Sequence, residues 1–212
     1  MRVDIWSDVV CPWCYIGNAR FSRALAGLEH RDEIEVVYRS FQLDPSIPGG
    51  QATPILDVLA AKYGVSPAQA RQAEARVAAV AAAEGLDFTA ERALGNTFDA
   101  HRLVHLGREH DLQERLLQRL YGAYFGAGRS VFDQEALVGL AADEGLDPDI
   151  ARRALEDGSY GDAVRADEDL AARLGISGVP FCVIDGKYGI SGAQPEETFA
   201  QALRNARASS IS

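Results

Sequence analysis

The stretch SDVVCPWCYIG, residues 7–17, sets Cys11 and Cys14 three positions apart with Pro12 and Trp13 between them. A Cys-X-X-Cys pair can supply half of a zinc site, staple a chain, or exchange electrons as a reversible disulfide. The third use needs one sulfur as thiolate and the other close enough to close a bond. If Cys11 opens a helix, its sulfur faces the unpaired N–H groups of the first turn and the positive end of the helix dipole. Both favour thiolate over thiol. Residues three apart on a helix have Cβ atoms roughly 5–6 Å apart, and a disulfide needs about 3.8 Å, so a small adjustment of the first turn closes it. Pro12 fits the first helical position, where its missing N–H has no use. Cys14 then lies one turn deeper, shielded, and able to attack a mixed disulfide formed on Cys11.

Zinc requires four ligands. Beyond the pair the chain offers Cys182 and histidines at 30, 101, 105 and 110. His101 and His105 can share a helix face, but no carboxylate or third histidine falls in register with them, so no metal site is expected. Farther along, GISGVPFCVID, residues 175–185, puts Val179 and Pro180 directly before an apolar strand. An X–Pro bond adopts cis far more readily than any other peptide bond. Pro180 has no N–H, which leaves the backbone of Val179 free to meet an extended substrate chain. A trans proline at the first residue of a strand is an equally good explanation.

These residues need elements to hold them. RVDIWSDV reads as a strand ending near Ser7 or Asp8, the segment from Pro12 as a helix despite Gly17, and EIEVVYRSFQL as a second strand. From Gln51 to Gly158 the punctuation is helical and contains no convincing strand. Thr53 and Pro54 open one helix that Gly64 ends; Ser66 and Pro67 open the next, ended by Gly85. A long third stretch bends or breaks near residues 107–111. Asp133 opens one further helix and Asp147 with Pro148 another, with Gly145 and Gly158 as stops. A helix ending at Gly175, two short strands around an Asp185–Gly186 turn, and a helix after Pro195 complete the chain. The order is β–α–β, a helical block, then α–β–β–α. It predicts an α/β domain in two parts, residues 1–50 and 159–212, interrupted by a helical domain over residues 51–158, with a single larger α/β domain as the alternative.

Composition bounds the partners. Hydrophobic residues make up 47% of 212 residues, enough for a core without disulfide staples. The formal net charge of −10 argues against a non-specific grip on nucleic acid. The amino terminus MRVDIWSDVV lacks the basic and apolar regions of a signal peptide, and no apolar run approaches the ~20 residues of a membrane span. A cytoplasmic location with no membrane contact is expected. YGAYFGAG, residues 121–128, has aromatic surface for a groove wall or a dimer contact, so a homodimer stays open, although core packing is the first expectation.

Strand–CPWC–helix at the front and Gly-Val-Pro-strand-hairpin-helix at the back resemble a thioredoxin fold. With the helical block between them, the chain resembles the DsbA family. SDVVCPWCYIG, NTFDAHRL (96–103) and GISGVPFCVID resemble its cytoplasmic FrnE-like branch in particular. That branch is related to the 2-hydroxychromene-2-carboxylate isomerases and kappa-class glutathione transferases. The resemblance implies that Cys11 is the exposed attacking thiol and Cys14 the resolving one. It makes Pro180 a cis-proline against the disulfide, with Val179 hydrogen-bonding substrate, and Pro12 and Trp13 part of the same surface. Asn96, Thr97, His101 and Arg102 would face the groove over the cysteines, or serve only as caps and surface hydrogen-bonders. Cys182 replaces an apolar residue and is expected as core filler.

The expected activity is thiol–disulfide exchange through the Cys-Pro-Trp-Cys pair, with no cofactor beyond the disulfide itself. The partners would be protein or small-molecule thiols and disulfides, with glutathione admissible as co-substrate. One alternative is a glutathione-dependent isomerase or transferase acting on an aromatic small molecule; those relatives carry a hydroxyl residue where Cys11 stands and need no second thiol. Another is a non-catalytic peptide-binding or holdase module.

Overall fold

The computed structural model describes residues 1–211. Strand β1 (Arg2–Ser7) is the hub of its sheet. Beside it β2 (Glu35–Ser40) runs parallel, with Ile5 opposite Tyr38, and β5 (Phe181–Ile184) runs antiparallel, with Ile5 opposite Cys182. Strand β6 (Tyr188–Ser191) completes the order β2-β1-β5-β6. The β5–β6 hairpin turns at Asp185 and Gly186, whose φ values of 49° and 67° are what a type I′ turn needs. Helix α1 (Pro12–Ala26) connects β1 to β2 and packs against α9 (Glu196–Ile211), with the rings of Phe21 and Phe199 meeting edge-on at 5.7 Å. This is a thioredoxin-like α/β arrangement.

Between β2 and β5 lie α2 (Ile55–Tyr63), α3 (Pro67–Ala83), α4 (Phe98–Glu109), α5 (Gln113–Tyr121), α6 (Gln134–Asp143), α7 (Pro148–Glu156) and α8 (Gly161–Arg173). Their ends follow local chemistry. Ser66 and Gln69 form a reciprocal capping box on α3, and Asp133 and Asp147 accept N–H groups at the starts of α6 and α7. Gly64 ends α2 in the left-handed conformation. The long helical stretch breaks between α4 and α5, where Asp111 takes a φ of 57°. No helix among the described residues is long and apolar enough to cross a membrane.

Two expectations fail in this region. Residues 51–158 are not free of strands: β3 (Ala52–Pro54) pairs antiparallel with β4 (Ala93–Gly95). Thr53 and Pro54 therefore belong to a strand, and α2 begins one residue beyond Pro54. Three-residue strands are too short to show alternation, and a proline is tolerated in a two-stranded ladder because both strands are edges. The Ile55 N–H continues the ladder by donating to the Arg92 carbonyl at 2.9 Å, a bond no local pattern announces.

The period-two alternation of β1 splits the core. Val3 and Ile5 face the larger cluster with Phe21, Leu103, Leu117 and Leu203, while Trp6 faces the other way onto Ala171 and Ile176. On that second face Asp167 fastens α8 to the sheet. Its carbonyl accepts the Trp6 indole N–H at 3.0 Å, one carboxylate oxygen accepts from Arg39 at 2.7 Å, and the other accepts the Ser40 N–H at 3.0 Å. His105 Nε2 stands 3.0 Å from the same carboxylate. Burial by itself would raise the Asp167 carboxyl, but the hydrogen bonds from His105, Ser40 and Arg39 hold it below the usual carboxylate range.

Replacing Asp167 with Ala leaves the buried Ser40 N–H without its acceptor and Arg39 with Asp4 as its remaining carboxylate partner, and should lower the unfolding free energy by about 1–3 kcal/mol in urea titrations. The folded carboxyl titrates below the unfolded value of about 3.9, so its contribution is complete above that value and is lost as pH falls through the lower folded one. The variant should lack this part of the acid dependence; an unchanged acid limb would contradict the assignment.

Candidate active site

Beyond Ser7 the chain turns into α1 with the Cys11 N–H donating to the Asp8 carbonyl at 3.1 Å. Cys11 is the N-cap of α1, with extended backbone (φ −85°, ψ 113°), and its sulfur accepts the Cys14 N–H at 3.3 Å. A thiol sulfur thus occupies the place usually taken by a serine or aspartate oxygen. The first turn holds no acidic residue of its own to offset the positive end of the helix, although the Asp8 carboxylate in the preceding turn acts on Cys14. Across the strand pair, Sγ of Cys11 lies 3.6 Å from the Val179 carbonyl, the S–H donating. The Val179–Pro180 bond is cis. The proline ring presses on α1 at Gly17, where a Cβ would come within 3.1 Å of Pro180 Cγ and 3.3 Å of Ala193 Cβ. A poor helix former inside the first turns of α1 is what admits the proline loop.

The resemblance implied an exposed thiol at Cys11, and the structure corrects this: the residue is 3% exposed. The helical segment and the loop after β2 rise around it, and its access is a cavity of about 420 Å³. The walls are largely apolar, with Ile55, Val58, Leu59 and Val77 from α2 and α3 facing Pro12, Trp13 and Val179. Trp13, Leu43 and Tyr63, which also border it, are exposed large apolar side chains. Glu74 and Arg92 also line the cavity as a buried ion pair at 2.7 Å, and the Arg92 guanidinium lies over the rings of Phe88, Phe125 and Tyr124. Sequence reasoning missed this pair, because charges on a helix and in a loop look like solvated surface until the fold encloses them.

Cys14 is sealed beneath Cys11 at 1% exposure. Burial pushes its thiol well up, and the hydrogen bond and charge of Cys11 push it further. A charge on Cys11 therefore keeps Cys14 protonated, and consuming that charge in a bond removes part of the hold. Cys182 is also buried, and burial alone pushes its thiol up to about 12. It fills space in the core beside Ile5 and is unsuited to nucleophilic work.

The helical-segment residues divide. Thr97 lines the cavity. His101 does not; its Nε2 stands 3.3 Å from Asp8 Oδ1 in the interior, beneath the turn that carries the cysteines. Asn96 is also absent from the wall. It donates to the Ile47 carbonyl at 2.7 Å and accepts the Phe98 N–H at 2.9 Å, tying the loop after β2 to the start of α4. Arg102 donates to Ser159 O at 2.7 Å, to Leu155 O at 3.1 Å and to Ala154 O, closing the end of α7. Asp8, not singled out from sequence, is the hub: its other oxygen accepts the Leu43 N–H at 2.8 Å. An acid at the end of an apolar strand directly before the cysteine motif was the available signal.

Known proteins share this architecture. A probable DsbA oxidoreductase from Streptomyces coelicolor is 53% identical, with 98% of this chain and 90% of that one covered and a TM-score of 0.93. A 2-hydroxychromene-2-carboxylate isomerase (15% identity, all of both chains, TM-score 0.73) shares the fold. So does the cytosolic disulfide reductase DsbM from Pseudomonas aeruginosa with GSH (17% identity, 98% of this chain and all of that one, TM-score 0.66). Residues 2–204 match the model described as DSBA-like thioredoxin domain. With the sulfur pair, the cis-proline and the interrupted α/β sheet all in place, the chain belongs to the DSBA-like thioredoxin domain family.

Proposed function

We propose that the protein is a cytoplasmic thiol–disulfide oxidoreductase of the FrnE-like kind, acting through Cys11 and Cys14. The observation that carries this is the N-cap geometry: one sulfur at a helix start accepts the N–H of the other cysteine, which waits beneath it with its proton held. The Cys11 thiolate attacks a substrate disulfide, one sulfur of that disulfide leaves as thiolate, and a mixed disulfide remains on Cys11. Loss of the Cys11 charge then lets Cys14 ionise and attack Sγ of Cys11, releasing the second substrate thiolate and leaving Cys11–Cys14 oxidised. The reverse sequence oxidises a dithiol. The apolar cavity and its exposed rim favour disulfides flanked by apolar side chains.

A second reading is favoured by the same cavity: a glutathione-dependent isomerase or transferase that holds an aromatic molecule against the apolar wall. Cys14 separates the two. In the oxidoreductase, Cys11→Ser should abolish dithiothreitol-dependent reduction of insulin, and Cys14→Ser should stop turnover while trapping a mixed disulfide on Cys11, seen as added mass. Catalysis that survives in Cys14→Ser would support the transferase and sink the exchange mechanism. Peptide binding without insulin reduction in the unaltered protein would point to a holdase.

Trp13 adds no positive charge beside the thiolate, whereas a histidine there would. Equilibration with glutathione should place the couple below the roughly −120 mV of the strongest oxidants of this type, and Trp13→His should move it upward. A value as oxidising as that limit, or no response to histidine, would contradict the electrostatic account.

The cavity has its own test. Val58→Trp, which fills the apolar wall, should raise KM for a peptide disulfide with leucine or phenylalanine flanks by about tenfold, since burying one such side chain contributes about 1.5–3 kcal/mol. Reduction of the oxidised protein by dithiothreitol should change less than about twofold. Equal losses with both would mean that the substitution disturbs the cysteines instead of the pocket.

A further inference from the structure

Tyr121, the last residue of α5, is 1% exposed, and its ring packs on Tyr15 of α1 at 5.5 Å and on Phe125 at 6.3 Å. Its hydroxyl is sealed from solvent and reaches no full hydrogen-bond geometry among the described residues, although the Ser7 side chain stands near enough to act on it as a hydrogen-bonding group. The other buried phenols nearby are satisfied: Tyr124 donates to the Ala93 carbonyl at 2.9 Å and Tyr38 to Asn18 at 2.7 Å. A donor left without an acceptor in the interior is costly, and native structures retain few of them without cause.

Position supplies a cause. Tyr121 borders a void of about 10 Å³ together with Cys14, Ser7, Pro180 and Cys182. Such a space is at the lower limit for a water molecule, so water is a poor candidate for the missing acceptor. Burial pushes the phenol well up, and the charges of Cys14 and Cys11 push it in the same direction against the opposing hydrogen bond of Ser7, so it keeps its proton throughout the working range. Tyr121 and Cys14 therefore share the wall of one void, a phenol that keeps its proton beside a cysteine whose sulfur becomes a strong acceptor only during exchange.

We infer that Tyr121 is a catalytic residue of disulfide exchange, donating its O–H to the Cys14 sulfur whenever that sulfur bears negative charge. The inference rests on the exchange chemistry proposed above. When an outside thiolate attacks Sγ of the oxidised Cys11, a new S–S bond forms there, the Cys11–Cys14 bond breaks, and its electron pair leaves on Cys14. The phenol stabilises that leaving thiolate without giving up its proton, and solvent later reprotonates the sulfur. In the opposite direction Cys14 releases its proton to solvent, the phenol holds the resulting thiolate, and that thiolate attacks Cys11 of the mixed disulfide, expelling the substrate sulfur with the bonding pair. In the resting pair Cys14 is a neutral thiol and a weak acceptor, and a catalytic bond of this kind tightens as charge develops. The titratable groups around Cys14 are Cys11 on its own helix, Asp8 in the preceding turn, Tyr38 on β2, Cys182 on β5 and Tyr121 itself.

Tyr121→Phe removes one oxygen and keeps the ring. In stopped-flow reduction of the oxidised protein by dithiothreitol, the variant should be slowed roughly tenfold or more, the size of a hydrogen bond to a charged group. In a Cys11→Ser background, where Cys14 titrates alone, its ¹³Cβ resonance should show a higher ionisation midpoint with phenylalanine at 121 than with tyrosine. Thermal unfolding should be unchanged or raised, because an unpaired polar atom is gone. Equal reduction rates and equal midpoints would overturn the role of Tyr121 while leaving exchange by the cysteines intact. Failure of the unaltered protein to form or reduce a Cys11–Cys14 bond would instead defeat the mechanism on which the inference rests.

Discussion

A sulfur at the start of α1 faces the Val179 carbonyl at 3.6 Å, across 168 residues of sequence. Those two atoms meet because β1 pairs antiparallel with β5, placing Trp6 opposite Phe181, so that the chain leaving β1 and the chain entering β5 emerge at the same end of the sheet. The cysteine turn, the cis-proline loop and the glycine that lets them touch are consequences of that one strand pairing. Helix α1 must then start where β1 stops, which puts its positive end against Cys11.

An acidic chain with a net charge of −10 needs its buried carboxylates answered locally, and it answers them at the joints. Asp167 fastens α8 to β2, Asp8 meets His101 of α4, and Glu74 meets Arg92 at the wall of the cavity. Each pair joins segments distant in sequence or strengthens a turn that borders the site. Such pairs add little net stability compared with apolar packing, but breaking one leaves an uncompensated charge inside. They hold the helical segment in one position over the cysteines, so the cavity has defined walls. The aromatic cluster of Tyr15, Tyr121 and Phe125 does the same work from the other side, with Tyr15 and Phe125 stacked at 5.2 Å beside Cys14.

The enclosure has a chemical consequence. The proposed sulfur exchange would move negative charge between two atoms in a place where water has limited access, so the few dipoles present carry more weight than they would in solvent. The Cys14 N–H is committed to Cys11, and burial keeps Cys14 neutral until the partner charge is consumed. In the proposed exchange the order of events would follow from electrostatics, the outer sulfur reacting first because the inner one is held protonated. Cys182, a third thiol in the same core, has its ionised form disfavoured by burial alone.

By itself the sequence determined the local grammar. Caps, proline starts and glycine stops delimit the helices correctly wherever the deciding contact lies within four residues, as at Ser66 with Gln69 or at Gly64. The strand–cysteine–helix junction and the Asp185–Gly186 hairpin are local for the same reason. Tertiary structure alone decided whatever depends on which distant residues meet. The β3–β4 ladder is too short to print a period, and it shifted the start of α2 past Pro54. Cys11 is enclosed because α2 and α3 stand over it, and Asn96 and Arg102 face loops and helix ends instead of the cavity. Backbone propensity and capping act over one turn of chain, whereas burial, access and the partner of a buried charge are set by packing between segments tens to hundreds of residues apart.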